Sequence, residues 1–334
     1  MNSQFTHFVG IDVAKETLAV HLITAQDEHF AFAVKNQKAA INALIKDLQR
    51  QIGEEQINKT LFCLEHTGVY ANRVLYCLHT KKLAIWLEAA PRMQEVEPTI
   101  QRGKNDPVDA KRIALFAQRF VDKARMYKPR RAVINQLQYL FRKRQAWLQV
   151  QTNLQVRQQE ILAFDEAKEL KEFKNIGNTA INAIKRVIKK IELKMQELIT
   201  KDERLKRMYK LVQSVPGIGP ITAYLLLFTT NEFIKFTNPR AYATHAGVVP
   251  FERQSGKNRK PMRVSHKADK RIKTHLQMAA LAAVKHNEEL RAYYERKTAE
   301  GKPKMLVLNA VRNKLIHRVF AVIRKDQVYN YSLN

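Results

Sequence analysis

The sequence predicts an α/β domain at the N terminus, then a long helical region and a mainly α-helical C-terminal part. Three observations support this. Short β-branched apolar segments alternate with helical patterns before residue 100. Residues 131–215 contain no proline and one glycine, Gly177, which is typical of nearly continuous helix. A Pro-Gly-Ile-Gly turn then separates further helical segments. We place domains at 1–128, 129–210 and 211–334.

The elements of the first domain follow in order from the apolar spacing. Residues 6–24 read as two β-strands joined by a turn at DVAKE. Residues 35–52 carry an apolar stripe at helical spacing. A strand in 59–70, a helix in 71–81 and a strand in 83–91 complete the pattern. The order strand, strand, helix, strand, helix, strand predicts a mixed sheet with helices.

The helical region contains an apolar seam with spacings of three and four residues. Such a seam is typical of a coiled coil, but by itself it cannot separate pairing within one chain from pairing between chains. One interpretation is a long antiparallel hairpin that packs on itself. We favour a coiled coil that contributes to oligomerisation. The seam consists of Ile181, Ile184, Ile188, Ile191, Met195 and Leu198.

The third region combines a glycine turn with a basic segment. Gly217 and Gly219 between helical segments predict a helix-hairpin-helix, in which backbone amides approach a DNA phosphate. An ordinary glycine turn is the alternative. The segment FERQSGKNRKPMRVSHKADKRIKTHL begins as a loop and suits a phosphate backbone, although a solvated basic face is the simpler interpretation. Its candidate phosphate contacts are Arg253, Lys257, Arg259, Lys260, Arg263, Lys267, Lys270 and Arg271.

Charge is distributed unevenly along the 334 residues. The formal net charge is +28, with −1 in residues 1–100 and +29 in residues 101–334. Such a balance indicates a polyanionic partner, either nucleic acid or an anionic membrane surface. No apolar run is long enough to span a bilayer, and the first residues do not read as a secretory signal. Cys63 and Cys77 form neither a disulfide framework nor a zinc motif, so we expect a reducing cytoplasm.

Two acids stand inside the basic stretch RGKNDPVDAKRIA. Asp106 and Asp109 have the spacing of a helix capping box, which is the common use of such a pair. Asp12 and Glu65, however, follow two apolar strands, and their carboxylates can point into one pocket with this pair. Four clustered carboxylates favour Mg²⁺, and two ions about 4 Å apart would act on a phosphodiester. The surrounding cations that would hold its phosphates are Arg102, Lys104, Lys111 and Arg112.

Several motifs together resemble one known family. GIDVAKE, LEHTGVY and GKNDPVDAKRIA are similar to the Asp-Glu-Asp-Asp set of the DEDD transposases of insertion sequences, the bridge-RNA-guided recombinases to which the Piv invertases are related. VPGIGPITAYLL, HAGVVPFERQSGK, RVSHKADKRIKTHLQMAALAA and GKPKMLVLNAVRNKL follow in the family's order. The resemblance extends from Val9 to about Leu315.

The resemblance implies a RuvC-like, ribonuclease H-like first domain and a transposase domain with a nucleophilic serine. By motif, the metal-binding acids are Asp12, Glu65, Asp106 and Asp109, and the nucleophile is Ser255. The family often has glycine shortly after its RxS element, where this chain has Ala268. Ser265 is therefore a weaker rival nucleophile.

The resemblance also implies the partners of the protein. A structured bridge RNA would pair with donor and target DNA, and the protein would form a tetramer, a dimer of dimers. Acids of one subunit would face the serine of another. The expected setting is the bacterial cytoplasm near the nucleoid, without a membrane.

We therefore interpret the chain as a site-specific DNA recombinase that forms a covalent phosphoserine. One alternative is a metal-dependent endonuclease, similar to a junction resolvase, that uses water and leaves Ser255 idle. The other is a non-catalytic nucleic-acid-binding scaffold in which the acids are helix caps and surface residues.

Overall fold

The computed structural model describes residues 4–65, 68–88, 106–164, 170–255, 258–264 and 268–330. The chain forms two compact units, Met1–Pro129 and Arg130–Asn334. Each unit has its own apolar core.

The first unit is built on a five-stranded mixed sheet, as predicted. Its strands are β1 (His7–Val13), β2 (Thr17–Ile23), β3 (His29–Lys35), β4 (Thr60–Glu65) and β5 (Ala84–Glu88). They lie in the order β3-β2-β1-β4-β5. The pairs β1–β2 and β2–β3 are antiparallel, whereas β1–β4 and β4–β5 are parallel.

The predicted element order lacks β3, and this is a correction. β3 is an edge strand whose inward residues Phe30, Phe32 and Val34 are only partly buried, while the residues between them are exposed. Two of the five apolar residues in this segment are alanines, which have low strand propensity, so it was not recognised as a strand. The alternation FAFAV was the available signal, because strand side chains alternate between faces.

Helices cover both faces of the sheet. Helices α1 (Lys38–Ile52) and α2 (Asn72–Thr80) pack on one face. Helix α3 (Asp106–Arg119) packs on the other face. Short 3₁₀ helices at Gln56–Lys59 and Val121–Lys123 connect these elements, and a third spans residues 68–71.

Gly10 on β1 is the point of closest approach between the sheet and α3. A methyl group in place of its hydrogen would overlap the backbone of Ala110 and Ala114. The α3 backbone therefore rests directly on the strand, with no side chain between them.

The second unit begins with the long helices that the sequence predicts. They are α4 (Ala132–Phe164), α5 (Leu170–Lys201) and α6 (Glu203–Gln213). Helix α5 packs antiparallel on α4, and Arg144 Nε of α4 donates to Glu192 Oε1 of α5 at 2.6 Å.

The apolar seam of α5 is filled from within the chain. Ile181, Ile184, Ile188 and Met195 are all less than 10% exposed in the single chain, and Met195 belongs to the core of the second unit. The buried residues of the seam therefore pack within the single chain, as expected for an antiparallel helical hairpin. A role of the seam in joining protomers stays a prediction.

The rest of the second unit is helical, apart from one β-hairpin. Its helices are α7 (Pro220–Thr229), α8 (Pro239–His245), α9 (Lys270–His286), α10 (Glu288–Ala299) and α11 (Lys304–Lys325). The hairpin strands are β6 (Phe251–Ser255) and β7 (Asn258–Arg263). Within the described ranges, no helix has the length and apolar character needed to cross a membrane.

The two glycines of the turn between α6 and α7 have different surroundings. Gly217 has a φ of 86°, and a methyl group there would overlap Ala279 and Ala283 of α9. Glycine at this position therefore allows both the positive φ of the turn and the close packing on α9. The prediction of a phosphate contact at Gly217 did not include this packing role. Gly219 precedes α7, and among the described residues no atom lies within 4 Å of the place that a methyl group would take, so its backbone is open to approach. Phosphate binding at this turn stays a prediction.

We expect Gly10→Ala to destabilise the first unit by about 1–3 kcal/mol, because the added methyl overlaps main-chain atoms that cannot move independently. The measurement is denaturant unfolding of the full chain. Gly177→Ala is the matched control, since Gly177 is inside a helix and a methyl there meets only the end of the Gln158 side chain. It should leave stability unchanged or raise it by up to about 1 kcal/mol. Equal stability of the two variants would contradict the close packing at Gly10.

Candidate active site

Two of the predicted acids stand at the carboxyl ends of adjacent parallel strands. Asp12 is near the end of β1 and Glu65 is the last residue of β4. The register pairs Ile11 with Leu64, so Asp12 and Glu65 are the next residues along each strand. Asp12 shares its face with Gly10, because side chains two residues apart in a strand point the same way. Both acids therefore lie on the side of the sheet that α3 covers.

Helix α3 supplies the other two acids. Asp106 and Asp109 stand in its first turn, where the helix dipole favours negative charge. Asp106 is the first described residue of the helix, and residue 105 lies outside the described residues, so the capping interpretation stays a prediction. Asp109 Oδ1 accepts a hydrogen bond from Arg112 Nη2 at 2.6 Å. Because Ala110 rests on Gly10, this first turn lies beside the end of β1.

The other three acids act electrostatically on Asp12. The pKa of Asp12 is raised, first by burial and then by the negative charges of Asp106 and Asp109. The charge of Glu65 raises it further, and a hydrogen bond from the Val13 backbone opposes the shift. The structure thus brings together the four carboxylates that the sequence singles out. Proximity of like charges disfavours ionisation of all of them at once.

The donor chemistry of these residues fits a hard divalent cation, since Mg²⁺ prefers carboxylate oxygens. Across the described ranges, however, no group of three or more His, Cys, Asp or Glu side chains stands close enough to hold a metal ion. Asp109 in particular is engaged with Arg112. Coordination by all four acids therefore requires side-chain rotation, with Asp109 shared between Arg112 and the ion or released from Arg112.

The sequence interpretation missed a fifth acid at the same edge. Glu88 is the last residue of β5 and pairs in register with Glu65. It is two residues from Trp86, which packs in the core on the α3 side. Burial raises the pKa of the Cys63 thiol, and the charge of Glu88 raises it further. The signal was present, because AIWLE ends in an acid after an apolar strand, as LFCLE does.

The predicted cations around this site differ in their surroundings. Arg112 is paired with Asp109, and its buried Nε has no hydrogen-bond partner within the described ranges. Lys111 lies near β2, where it contributes to the low pKa of His21. That pKa is about 4, and the causes in order are burial, His29 and Lys111. Arg102 and Lys104 lie outside the described residues.

Ser255 ends the first strand of the hairpin in the second unit. It pairs with Asn258, which places it next to the hairpin tip. The sequence predicted that this segment begins as a loop, but the backbone forms two antiparallel strands. The physical reason is that strand pairing satisfies the hydrogen-bonding groups of the main chain in this polar segment. Arg253, Arg259, Lys260 and Arg263 lie on these strands. Gly256, Lys257, Ser265 and Lys267 lie outside the described residues.

The last two predicted phosphate contacts stand at the start of α9. Lys270 is exposed. Arg271 Nη2 pairs with Asp269 Oδ2 at 2.7 Å, and this carboxylate raises the pKa of Arg271. The charge of Arg271 is therefore partly neutralised within the chain.

We expect Asp12→Asn to raise the melting temperature at pH 7 in the presence of EDTA. The raised pKa of Asp12 means that the folded chain binds more protons than the unfolded chain just above pH 3.8. Stability linked to Asp12 therefore falls as pH rises through that window, and the neutral amide removes this loss. The gain should shrink toward pH 4 in a pH series of thermal melts. Glu54→Gln is the control, because Glu54 is an exposed acid of the same unit. A lower melting temperature of Asp12→Asn at pH 7 would contradict this account.

Comparison with known proteins gives consistent matches along the chain. A family model described as a transposase, of the DEDD type named for IS110, matches residues 9–164. A second model, described as the transposase IS116/IS110/IS902 family, matches residues 209–295.

Curated relatives cover the chain to different extents. An uncharacterized 42 kDa protein of insertion element IS900 from Mycobacterium paratuberculosis is 27% identical over 38% of this chain, and the match spans only 32% of that protein. A probable family 20 transposase of Pseudomonas aeruginosa is 22% identical over 96% of this chain and 98% of its own length. A pilin gene-inverting protein of Moraxella lacunata is 22% identical over 97% of each chain.

Among solved structures, a match is found to RuvC of T. thermophilus in complex with a Holliday junction substrate. It covers 36% of this chain and 99% of that chain, with 12% identity and a TM-score of 0.28. The two family models carry the assignment, because they describe transposases and match most of the chain in order. The chain belongs to the IS110-type transposases that these two models describe.

Proposed function

We propose that this protein is a site-specific DNA recombinase of an insertion sequence, which cuts and rejoins DNA strands. One observation carries the proposal: strand register and the contact of α3 with Gly10 bring Glu65, Asp106 and Asp109 to the strand end that holds Asp12. These are the four positions at which the chain resembles the Asp-Glu-Asp-Asp set. Several acids at one edge of a sheet repel one another, which costs stability. Such an arrangement therefore indicates a catalytic use.

In this proposal the four acids hold Mg²⁺, as two ions. When bound, Mg²⁺ would neutralise the phosphate and stabilise the attacking and leaving oxygens. The chain itself positions the donors. Strand register holds Asp12 beside Glu65, and the contact at Gly10 holds the first turn of α3 beside them. Arg112 orients Asp109 by a charge-assisted hydrogen bond.

Ser255 is the proposed nucleophile. Its Oγ forms a bond to phosphorus while the bond from phosphorus to one DNA oxygen breaks, and the proton lost by the serine is balanced by one gained on the leaving oxygen. A hydroxyl of the recipient strand then reverses the exchange and frees the serine. Bond energy is conserved, because each step exchanges one phosphoester for another. The position next to a hairpin tip and the basic residues around it in sequence support this role.

The partners in this proposal are donor DNA, target DNA and a structured bridge RNA. The net charge of +29 in residues 101–334 supports binding of a polyanion. RNA guidance rests on the family resemblance, in which base pairing reads sequence and the protein reads backbone and shape. So does the tetramer, in which the acids of one subunit act with the serine of another.

Substitution of the acids tests their catalytic role. Glu65→Gln, Asp106→Asn and Asp109→Asn should each reduce strand exchange by about 1000-fold or more, since a metal site supplies several kcal/mol to the transition state. DNA affinity should change by less than about threefold in a salt-matched binding assay, because cations provide the affinity. Glu16→Gln is the control, an exposed acid in the turn after β1. Variants at Asp106 and Asp109 that lose only thermal stability and keep activity would favour the capping interpretation.

A covalent adduct tests the role of Ser255. Labelled donor and target DNA are incubated with protein, quenched in denaturant, and examined for DNA that migrates with protein. Ser255→Ala should abolish the adduct, because the attacking oxygen is absent, and Ser265→Ala should retain it. An adduct that survives Ser255→Ala would assign the reaction to another residue. Cleavage without any adduct, even on stalled substrates, would favour the endonuclease that uses water.

A further inference from the structure

Among the residues that the structure describes, Arg312 on α11 is a buried cation without a partner. The residue is 3% exposed, and its buried Nε has no hydrogen-bond acceptor among them. Throughout the described ranges, neither an ion pair, nor a hydrogen bond, nor contact with an aromatic ring involves its guanidinium. Charged side chains are almost never fully buried unless they are paired, because removal from water costs several kcal/mol.

Other shielded arginines of this unit are paired, which makes Arg312 an exception. Arg318, on the same helix, pairs with Glu289 at 2.5 Å. Arg144 pairs with Glu192 at 2.6 Å. Burial lowers the pKa of Arg312, but a guanidinium remains charged at any physiological pH. Within the described part of the second unit, the positive charge of Arg312 is therefore buried and unpaired.

Arg312 lies close to the base of the β6–β7 hairpin that carries Ser255. One turn earlier on α11, Asn309 Nδ2 donates to the carbonyl oxygen of Val248 at 2.7 Å. Val248 lies three residues before β6. Asn309 and Arg312 share a side of the helix, because residues three apart are neighbours on its surface. The unpaired charge thus lies beside the contact that fastens the base of the hairpin to α11.

The other end of the hairpin is fastened to the same region. The backbone N–H of Asp269 donates to the carbonyl oxygen of His245 at 2.9 Å. Gly247 packs so closely on Ala268 that a methyl group there would come within 2.7 Å of the Ala268 Cβ and 3.9 Å of the Lys273 side chain. The aliphatic part of Lys273 therefore packs near the base of the hairpin.

We propose that Arg312 binds a phosphodiester group of a nucleic-acid strand at the base of the Ser255 hairpin. The inference rests on the proposed function. A guanidinium offers a planar fork of donors that matches two oxygens of a phosphate, and nucleic acid is the polyanion that the charge of this region requires. Bound phosphate would supply the counter-charge that the described residues do not provide. Arg312 is a binding residue in this proposal and does not take part in bond exchange.

Arg312→Met separates this role from a structural one. Replacing an unpaired buried charge by an apolar side chain of similar length is neutral or stabilising, so the melting temperature without nucleic acid should stay equal or rise. Affinity should fall about tenfold or more in fluorescence anisotropy with a mixed-sequence single-stranded DNA and with the RNA of identical sequence. The strand that shows the larger loss identifies the source of the phosphate. Arg324→Met is the control, an exposed arginine of the same helix, and should change affinity by less than about threefold.

The outcomes distinguish failure of the inference from failure of the proposed function. Wild-type protein that binds neither strand would overturn both. Wild-type binding with unchanged affinity of Arg312→Met would overturn only the inference. So would a changed oligomeric state at unchanged affinity, since a carboxylate of a second copy would then be the counter-charge. If Arg312→Met does not fold, Arg312→Lys decides, because it keeps the charge and lacks the fork: weakened binding by the folded protein supports the inference, and unchanged binding overturns it.

Discussion

The direct contact of α3 with β1 at Gly10 is the constraint on which the candidate active site depends. Strand register alone places Asp12 beside Glu65, but Asp106 and Asp109 belong to a helix far along the chain. Glycine on the strand and alanines on the helix let the two backbones touch, which sets the height of the helix over the sheet. A larger residue at this contact would lift the first turn of α3 away from the strand end.

Bringing these acids together has an electrostatic cost, and the raised pKa of Asp12 records it. The chain offsets part of this cost with Arg112 on Asp109 and with the dipole of α3. Arg312 in the second unit is a buried cation with no anionic partner among the described residues. Local conflicts of this kind are expected at functional positions, because a chain selected for stability alone would replace such charges with apolar groups.

The second unit uses its small and apolar residues mainly for its own packing. The α5 seam faces inward, and Gly217 lets the turn before α7 lie against α9. Near the hairpin of Ser255, Asn309 and His245 form hydrogen bonds to the segments before and after it. In the proposed function, a serine held in this way would need little reorganisation before it meets a phosphate.

The sequence by itself determined the α/β character of the first unit, the long helices, the basic charge and the four acids, because these depend on local apolar spacing, composition and short motifs. Tertiary structure decided what depends on register and long-range packing. It revealed the half-buried edge strand β3, and it placed Glu88 beside Glu65 by strand pairing. It also showed that Gly217 allows close packing of the turn on α9. Arg312 is buried with no counter-charge among the described residues. The sequence pattern shows which side chains are apolar or charged. The partner that each side chain meets depends on residues far away in the sequence, which only folding brings near.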